Sequence, residues 1–249
     1  MSLRRWWKGW VLLLAPLATL TALPEAMNEA AADLFDHALY SELLRVYVDE
    51  EGLVDYRGLQ EQGMEKLDAY VGKLGGAPTS DMGEDEKMAL YINAYNAFTL
   101  KLIADHYPVE SIREIPGLSG LLGTGQWKKK MWPLAGEEIS LDHLEHQMLR
   151  PMGDPRIHFA LVCAAMSCPP LAREAYTGRR LNEQLERQGR IFNRSRTGLR
   201  TEMKEGFFGK SQVLKLSSIY KWFKEDFLEK AKDLPSFVLP YAGPEDQAF

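Results

Sequence analysis

The segment Asp85–Tyr107 is the feature that most constrains how this chain folds. Apolar residues recur along it at helical spacing for about six turns, and Pro108 follows directly, as is common after a helix. Asn93 and Asn96 lie three residues apart on one face of this otherwise apolar helix. Buried amides need hydrogen-bond partners, so these asparagines are expected to hold a neighbouring loop, to orient a catalytic histidine or to bind substrate.

The remaining elements are a mixture of helices and short strands. The apolar periodicity predicts further helices over residues 28–50, Met64–Leu74, Ser140–Arg150, Arg179–Asn193 and Ser218–Leu228. Strands are expected near Lys129–Pro133, over Ile157–Cys163 and over Val213–Leu216. Because these elements do not alternate regularly and no long linker divides the chain, the sequence predicts a single α+β domain over residues 27–249, with a small, mostly antiparallel sheet.

Residues 1–26 differ in kind from the rest of the chain. Arg4, Arg5 and Lys8 precede the uncharged segment Trp10–Leu23, an order that is typical of a secretory signal peptide. The protein is therefore predicted to be exported, to the periplasm or outside the cell. Because the cleavage site is poorly defined, an uncleaved anchor that tethers the protein to a membrane is the alternative. The formal net charge of −5 argues against a nucleic-acid partner.

Both cysteines lie in the segment Arg156–Leu171. Cys168 directly precedes Pro169-Pro170, and proline is tolerated in the first turn of a helix. A helix that begins there would stabilise a thiolate at Cys168 and would supply an oxyanion hole, as a nucleophile requires. Cys163, inside the predicted strand, is interpreted as core packing. A disulfide between the two needs a sharp turn at Ala164–Ser167, because an extended chain separates the Cα atoms by roughly 15 Å.

A cysteine nucleophile needs a base, usually a histidine that a third polar group orients. His146, on a different predicted element from Cys168, is the preferred partner. His158 is the second candidate, because a fully extended strand would place it roughly 30 Å from Cys168. Glu145 is expected to support these residues from a neighbouring position.

Four other charged or titratable residues are weaker candidates. Arg150 and Arg156 are expected either to form ion pairs or to bind the carboxylate of an acidic substrate. His37 and His106 are expected on helix surfaces and are discounted.

A metal site is the competing use of the same side chains. Cys163, Cys168, His146 and His158 would form a Cys2His2 set, but their spacing matches none of the usual structural zinc patterns. The sequence therefore predicts no metal and no cofactor.

Six blocks, running from about residue 52 to residue 228, are shared with a known family. They are Gly52–Tyr56, Tyr91–Ala97, Leu141–His146 with Leu149-Arg150, Arg156–Leu161, Ser167–Pro170 and Lys221–Phe227. Together they resemble family 547 of the domains of unknown function. The resemblance implies a distant similarity to papain-like and transglutaminase-like thiol hydrolases, with γ-glutamyl thiols such as glutathione as ligands. Carried over by position, it implies a site formed by Cys168, His146 and His158, with Asn93, Glu145 and Arg156 around them.

The residues and the resemblance together predict an exported cysteine-dependent hydrolase or transferase that acts on a small amide, a peptide or a γ-glutamyl thiol. A non-catalytic periplasmic binding or scaffold domain that retains the pocket is the alternative. The environment of the Cys168 sulfur distinguishes these two functions. If Cys168 has no histidine within reach, or is bonded to Cys163, the binding function is favoured.

Overall fold

The computed structural model describes residues 33–109, 115, 125–162, 168–195, 197–206 and 209–247, and these belong to one compact unit. The predicted signal segment and Cys163 lie outside the described residues, so the predictions about them stay predictions. Within the described ranges, no helix combines the length and the apolar character that are needed to cross a bilayer.

The predicted central helix is α4, Glu84–Ala104, and most of its residues after the first turn are buried. Its first turn contains three acidic residues, which suit the positive end of the helix dipole. Two shorter helices, α1 (Ala38–Tyr47) and α3 (Met64–Leu74), complete this part of the core, and α3 packs against both α1 and α4. The helix expected over Asp85–Tyr107 is therefore confirmed, with ends that differ by one and three residues.

Short elements connect these helices to the first sheet. α2 (Tyr56–Gly58) and a π-helical turn (Leu59–Gly63) lead into α3, and α5 (Gly125–Lys128) precedes the strands β1 (Trp132–Leu134) and β2 (Glu137–Ile139). These strands pair antiparallel. Both residues of the connecting turn, Ala135 and Gly136, have positive φ, as a type I′ hairpin turn requires. The strand expected in this region is thus confirmed.

The helix predicted from Ser140 begins there and is irregular. The Ser140 hydroxyl accepts a hydrogen bond from the His143 N–H at 3.0 Å and caps α6 (Leu141–His143). The chain continues as a π-helical turn (Leu144–Leu149) and a 3-10 turn (Arg150–Met152). The π-helical turn carries two of the predicted site residues, and such turns are frequent at functional sites.

The C-terminal half contains six helices and the second pair of strands within the described ranges. They are α7 (Ile157–Ala160), α8 (Leu181–Asn193), β3 (Leu199–Gly206), β4 (Gly209–Leu216), α9 (Ile219–Trp222), α10 (Lys224–Leu228), α11 (Leu234–Val238) and α12 (Pro244–Gln247). β3 and β4 pair antiparallel, from Leu199 with Leu216 to Gly206 with Gly209. The mixture of helices and two small antiparallel sheets confirms the α+β class.

The strand predicted over Ile157–Cys163 is wrong in its described part. Ile157–Ala160 forms the short helix α7, and the Leu161 N–H donates to the Ile157 carbonyl at 3.0 Å. All four residues of α7 are buried. A short helix without a polar face has no helical periodicity to detect, and its apolar run is indistinguishable from that of a buried strand.

The strand β3 was not predicted, although its partner β4 contains the strand expected over Val213–Leu216. β3 has the sequence LRTEMKEG, and most of its described side chains are wholly or partly exposed. A strand of this kind lacks the apolar alternation on which sequence prediction depends. Hairpin pairing with β4 supplies the hydrogen bonds instead.

The expectation that His37 lies on a helix surface is also wrong. His37 directly precedes α1 and is only 5% exposed. Its Nδ1 forms a 2.7 Å hydrogen bond with the Tyr70 hydroxyl, and its ring lies against those of Phe35 and Tyr70. Burial lowers the pKa of His37 from 6.5 to about 4.

Buried His37 predicts a loss of stability in mild acid. The unfolded chain binds a proton near pH 6.5 and the folded chain only near pH 4, so the unfolded state holds more protons between these values. The free energy of unfolding should therefore fall as pH drops from 6.5 to 4, by up to about 3 kcal/mol. Denaturant titrations of wild type and His37→Gln across this range test the prediction. The free energy of unfolding of His37→Gln should depend less on pH in this range than that of wild type. The same pH dependence in both proteins would contradict the prediction.

Candidate functional site

The described chain that follows α7 forms neither helix nor strand, and buried amides satisfy its backbone. Asn96, on α4, donates to the Ala160 carbonyl at 2.9 Å and accepts from the Val162 N–H at 3.0 Å. Asn93, one turn earlier, donates to the Tyr176 carbonyl at 2.8 Å and accepts from the Tyr176 N–H at 2.9 Å. Both asparagines therefore hold loops, which is the first of the roles expected for them.

Two glutamines on α8 perform the same task from the other side. Gln184 donates to the Ala175 carbonyl and accepts from the Thr177 N–H, both at 2.9 Å. Gln188 donates to the Pro170 carbonyl at 2.6 Å. Backbone groups away from water must be paired, and here four side-chain amides replace the regular ladder that a helix or strand would provide. The segment that carries Cys168 is thereby fixed between α4 and α8.

Cys168 is disulfide-bonded, and no helix begins after it. The helix start predicted at Pro169 is therefore wrong. The Leu171 N–H donates to the Gly52 carbonyl at 3.2 Å, and the Pro170 carbonyl is taken by a glutamine of α8. The Leu171 N–H would have no partner within a helix that began at Pro169, so its bond to Gly52 does not oppose such a helix. The Pro170 carbonyl would need a later N–H of the helix, and Gln188 occupies it instead. Cys168 thus lacks the predicted dipole, and the disulfide leaves it no thiol with which to attack a carbonyl.

Cys168 lines a cavity of about 620 Å³. Most of the other described lining residues are apolar: Leu53, Val54, Tyr56, Val162, Pro169, Pro170, Leu171 and Ile191. The charged and hydroxyl-bearing ones are Glu50, Glu51, Arg194, Ser195 and Thr197. No histidine is among the described residues that line this cavity.

Gly52 supports one wall of this cavity and predicts a specific steric sensitivity. Its φ is +78°, and a Cβ at this position would lie 2.4 Å from the Pro170 Cβ and 2.9 Å from the Leu171 nitrogen. Gly136 has a similar φ of +88°, and no atom lies within 4 Å of where its Cβ would stand, so Gly136→Ala is a matched control for strain alone. We expect Gly52→Ala to destabilise the protein by about 2 kcal/mol more than Gly136→Ala. Urea unfolding measures the free energy of unfolding of both variants. Equal losses would contradict the prediction, because they would show that Pro170 and Leu171 move to accommodate the added Cβ.

A second cluster of candidate residues is centred on Asp226. Arg150 donates to both carboxylate oxygens of Asp226, from Nε at 2.8 Å and from Nη2 at 2.7 Å. His158 Nε2 lies 2.8 Å from the same carboxylate, and the His158 ring stacks on Phe223 with centroids 3.8 Å apart. Arg150 Nη1 lies 3.3 Å from His146 Nδ1. Because arginine only donates, that nitrogen of His146 is the acceptor.

The charges of this cluster follow from its geometry. Hydrogen bonds from Arg150 lower the pKa of Asp226 to about 2, so the carboxylate is ionised at neutral pH. Burial lowers the pKa of His158 to about 4, although the Asp226 carboxylate acts in the opposite direction. Neutral His158 therefore donates from Nε2 to the charged carboxylate. A carboxylate oriented on a histidine in this way is also a feature of catalytic triads.

Glu145 is buried beside this cluster and forms its hydrogen bond elsewhere. The Tyr95 hydroxyl donates to Glu145 Oε2 at 3.0 Å, and Trp127 Nε1 donates to the Tyr95 oxygen at 3.2 Å. Burial raises the pKa of the Glu145 carboxyl. The residue thus has the perturbed environment of a functional acid, and its polar contact is with a tyrosine.

Arg156 is held by three side chains. Its guanidinium donates to Asp154 at 2.7 Å, to Glu186 at 2.9 Å and to Asn182 at 2.7 Å. These contacts raise the pKa of Arg156, chiefly through the Asp154 hydrogen bond. Arg156 therefore matches the ion-pair alternative, as Arg150 does with Asp226.

The predicted site is divided between two cavities. His146, Arg150 and Asp226 line a separate cavity of about 180 Å³, and Cys168 is not among its described lining residues. Cys168 and His146, which are predicted to act together, therefore line different cavities. Asp226 was not proposed from the sequence. The block Lys221–Phe227, which contributed to the family resemblance, contains it and could have drawn attention to it.

The described residues form a mixed α+β domain with Cys168 in one cavity and His146, Arg150 and Asp226 in another. Residues 79–192, a little under half of the chain, match the model of the family described as "Protein of unknown function, DUF547". This match confirms the resemblance seen in the sequence. The match includes Cys168, His146 and His158, whereas Gly52 and Asp226 lie outside it. No curated protein and no solved structure shows significant similarity to the chain, so the papain-like similarity has no support from them.

Proposed function

We propose that this protein is an exported, non-catalytic binding domain that holds a small, mostly apolar molecule in the cavity lined by Cys168. One observation carries the proposal: an apolar cavity of about 620 Å³ lies beside a cysteine whose sulfur is already in a disulfide. Small-molecule sites are typically concave, mostly apolar and roughly 300–1,000 Å³ in volume. Export is proposed from the predicted signal segment.

Two aliphatic side chains at the cavity support this proposal. Leu53 and Ile191 line it and are 52% and 46% exposed, so they lie where the cavity opens to solvent. Covering apolar surface contributes roughly 25 cal/mol per Å². A ligand that fills the cavity and covers both side chains would gain this contribution without moving the core.

Binding of a neutral apolar dye, N-phenylnaphthylamine, tests the proposal. Wild type should bind the dye, and Ile191→Glu should weaken binding about tenfold or more, because a charge beside the dye must be desolvated. Met203→Glu is the matched control, because Met203 is 63% exposed on β3 and is not among the described residues that line the cavity. The proposal is overturned if wild type binds no dye, or if both variants lose the same affinity.

A cysteine hydrolase or transferase acting on a small amide, a peptide or a γ-glutamyl thiol is the second candidate. It is favoured by the His158–Asp226 hydrogen bond together with the position of Cys168 in a cavity wall. It requires reduction of the disulfide and the approach of a histidine to Cys168. Without both changes there is no thiolate and no base to generate one.

Thiol labelling separates the two candidates. The experiment uses reduced protein with Cys163→Ser, so that Cys168 is the remaining cysteine, and follows the iodoacetamide rate against pH. Catalysis is supported if the rate profile indicates a thiolate at or below neutral pH and if His146→Gln or His158→Gln abolishes that shift. An ordinary thiol profile that neither substitution changes leaves binding as the function.

A further inference from the structure

We infer that the molecule held in the Cys168 cavity is an amphiphile with one anionic group, such as a long-chain carboxylate, and that Arg194 recognises this group. The inference rests on the proposed binding function and names its ligand class. The cavity is mostly apolar, and Arg194 is the one positively charged residue among its described lining residues.

Arg194 differs from the other arginines near it. On α8, Arg187 forms ion pairs with Glu174 and Glu183, and Arg190 forms one with Glu186. Arg194 lies one turn beyond Arg190, immediately after the end of α8, and lines the cavity. Within the described part of the chain, its guanidinium has no ion-pair partner. A positive charge beside an apolar cavity is therefore available to a ligand.

Two hydroxyls accompany this charge. Ser195 and Thr197 also line the cavity, and their side-chain oxygens lie 3.3 Å apart. A guanidinium and hydroxyl groups are all hydrogen-bond donors to a carboxylate. The adjoining apolar wall would accept the hydrocarbon part of the same molecule. The anionic head of a ligand thus matches the donors of Arg194, Ser195 and Thr197, and its apolar tail matches the apolar wall.

The acidic residues in the lining define the competing chemistry. Glu50 and Glu51 are both exposed, and Glu50 is ion-paired with Arg173. If Glu51 rather than Arg194 recognised the ligand, the cavity would prefer a cationic amphiphile. The Arg194 guanidinium and its two hydroxyl neighbours favour the anion, and the experiment below includes the cation as a direct competitor.

Displacement of N-phenylnaphthylamine by three chains of equal length tests the inference. Dodecanoate, dodecanol and dodecyltrimethylammonium are compared below their micelle concentrations at neutral pH and low salt. Dodecanoate should bind about tenfold more tightly than dodecanol, as expected for a charge-assisted hydrogen bond. Arg194→Gln should remove this preference and leave the affinity for dodecanol unchanged. Arg190→Gln, one turn earlier on α8 and not among the described lining residues, should retain the preference.

The outcomes separate this inference from the proposed function. If the dye binds and dodecanol and dodecanoate displace it equally in wild type and in Arg194→Gln, the cavity binds apolar molecules and the anionic head is refuted. Tighter binding of dodecyltrimethylammonium than of dodecanoate also refutes it. If neither the dye nor any of the three chains binds wild type, the proposed function fails and the inference fails with it. Loss of the dodecanoate preference at high salt would add support, because exposed charge pairs are screened.

Discussion

Asp226→Asn is expected to destabilise the protein by about 1.5–3 kcal/mol, the usual contribution of a hydrogen bond that involves a charged group, because the ion pair with Arg150 is only partly buried. The carboxylate accepts hydrogen bonds from Arg150 and His158, whose side chains are 31% and 1% exposed. Without the charge, Arg150 keeps a positive charge that is no longer neutralised, and the buried His158 N–H loses its ionised acceptor. Chemical denaturation at neutral pH measures the change in the free energy of unfolding.

A matched substitution removes a charge of the same sign from an exposed pair. Glu183 pairs with Arg180 and Arg187 and is 63% exposed. Glu183→Gln should cost little, because exposed ion pairs contribute little to stability. If Asp226→Asn costs no more than Glu183→Gln, the charged cluster around Asp226 does not contribute to the stability of the fold. Its role would then have to be sought in chemistry at the 180 Å³ cavity.

Asn96→Ala is expected to cost about 3 to 4 kcal/mol, because it leaves two buried backbone groups without partners. Removing one partner of a buried hydrogen bond typically costs about 1–3 kcal/mol for the group that remains. Here the Ala160 carbonyl and the Val162 N–H both lose the amide. Since Val162 also lines the Cys168 cavity, dye binding should weaken as the segment loosens.

Hydrogen exchange supplies a readout that a general loss of packing would not reproduce. The Val162 amide should exchange faster in Asn96→Ala by a larger factor than amides in the middle of α4. Gln147→Ala is the control, because Gln147 is an exposed residue of the π-helical turn, and surface changes of this kind are usually within about 0.5 kcal/mol. Unchanged Val162 protection together with a loss below about 1 kcal/mol would show that other groups hold the segment.

Local sequence patterns predicted most of the helices and strands. They did not predict the segments whose conformation is set by tertiary contacts rather than by neighbouring residues. The helix α4 was predictable because its apolar spacing, acidic start and following proline agree. The segment after Cys168 was not, because Pro169-Pro170 is compatible with a helix start, and the tertiary contact of Gln188 with the Pro170 carbonyl competes with one. The short helix α7 was not predicted for a different reason. All of its residues are buried, so its sequence lacks the helical periodicity of apolar and polar residues that would identify it.

The candidate site shows the same limit. His146, His158, Arg150 and Cys168 could be selected from the sequence by residue type and neighbours, but their pairing could not. Arg150 and Asp226 are 76 residues apart in the chain, and no local pattern connects them. Which cavity each residue lines depends on how α4, α8 and α10 pack.

The α+β class, the central helix α4 and the similarity of residues 79–192 to a known family could all be predicted from the sequence, because each depends on residues close together in the chain. Only the tertiary structure decided that Asn93 and Asn96 hold loops, that Asp226 joins Arg150 to His158, and that Cys168 lines a different cavity from His146. Such contacts form between distant segments when the core packs, and the hydrogen bonds and charges that result are properties of that packing.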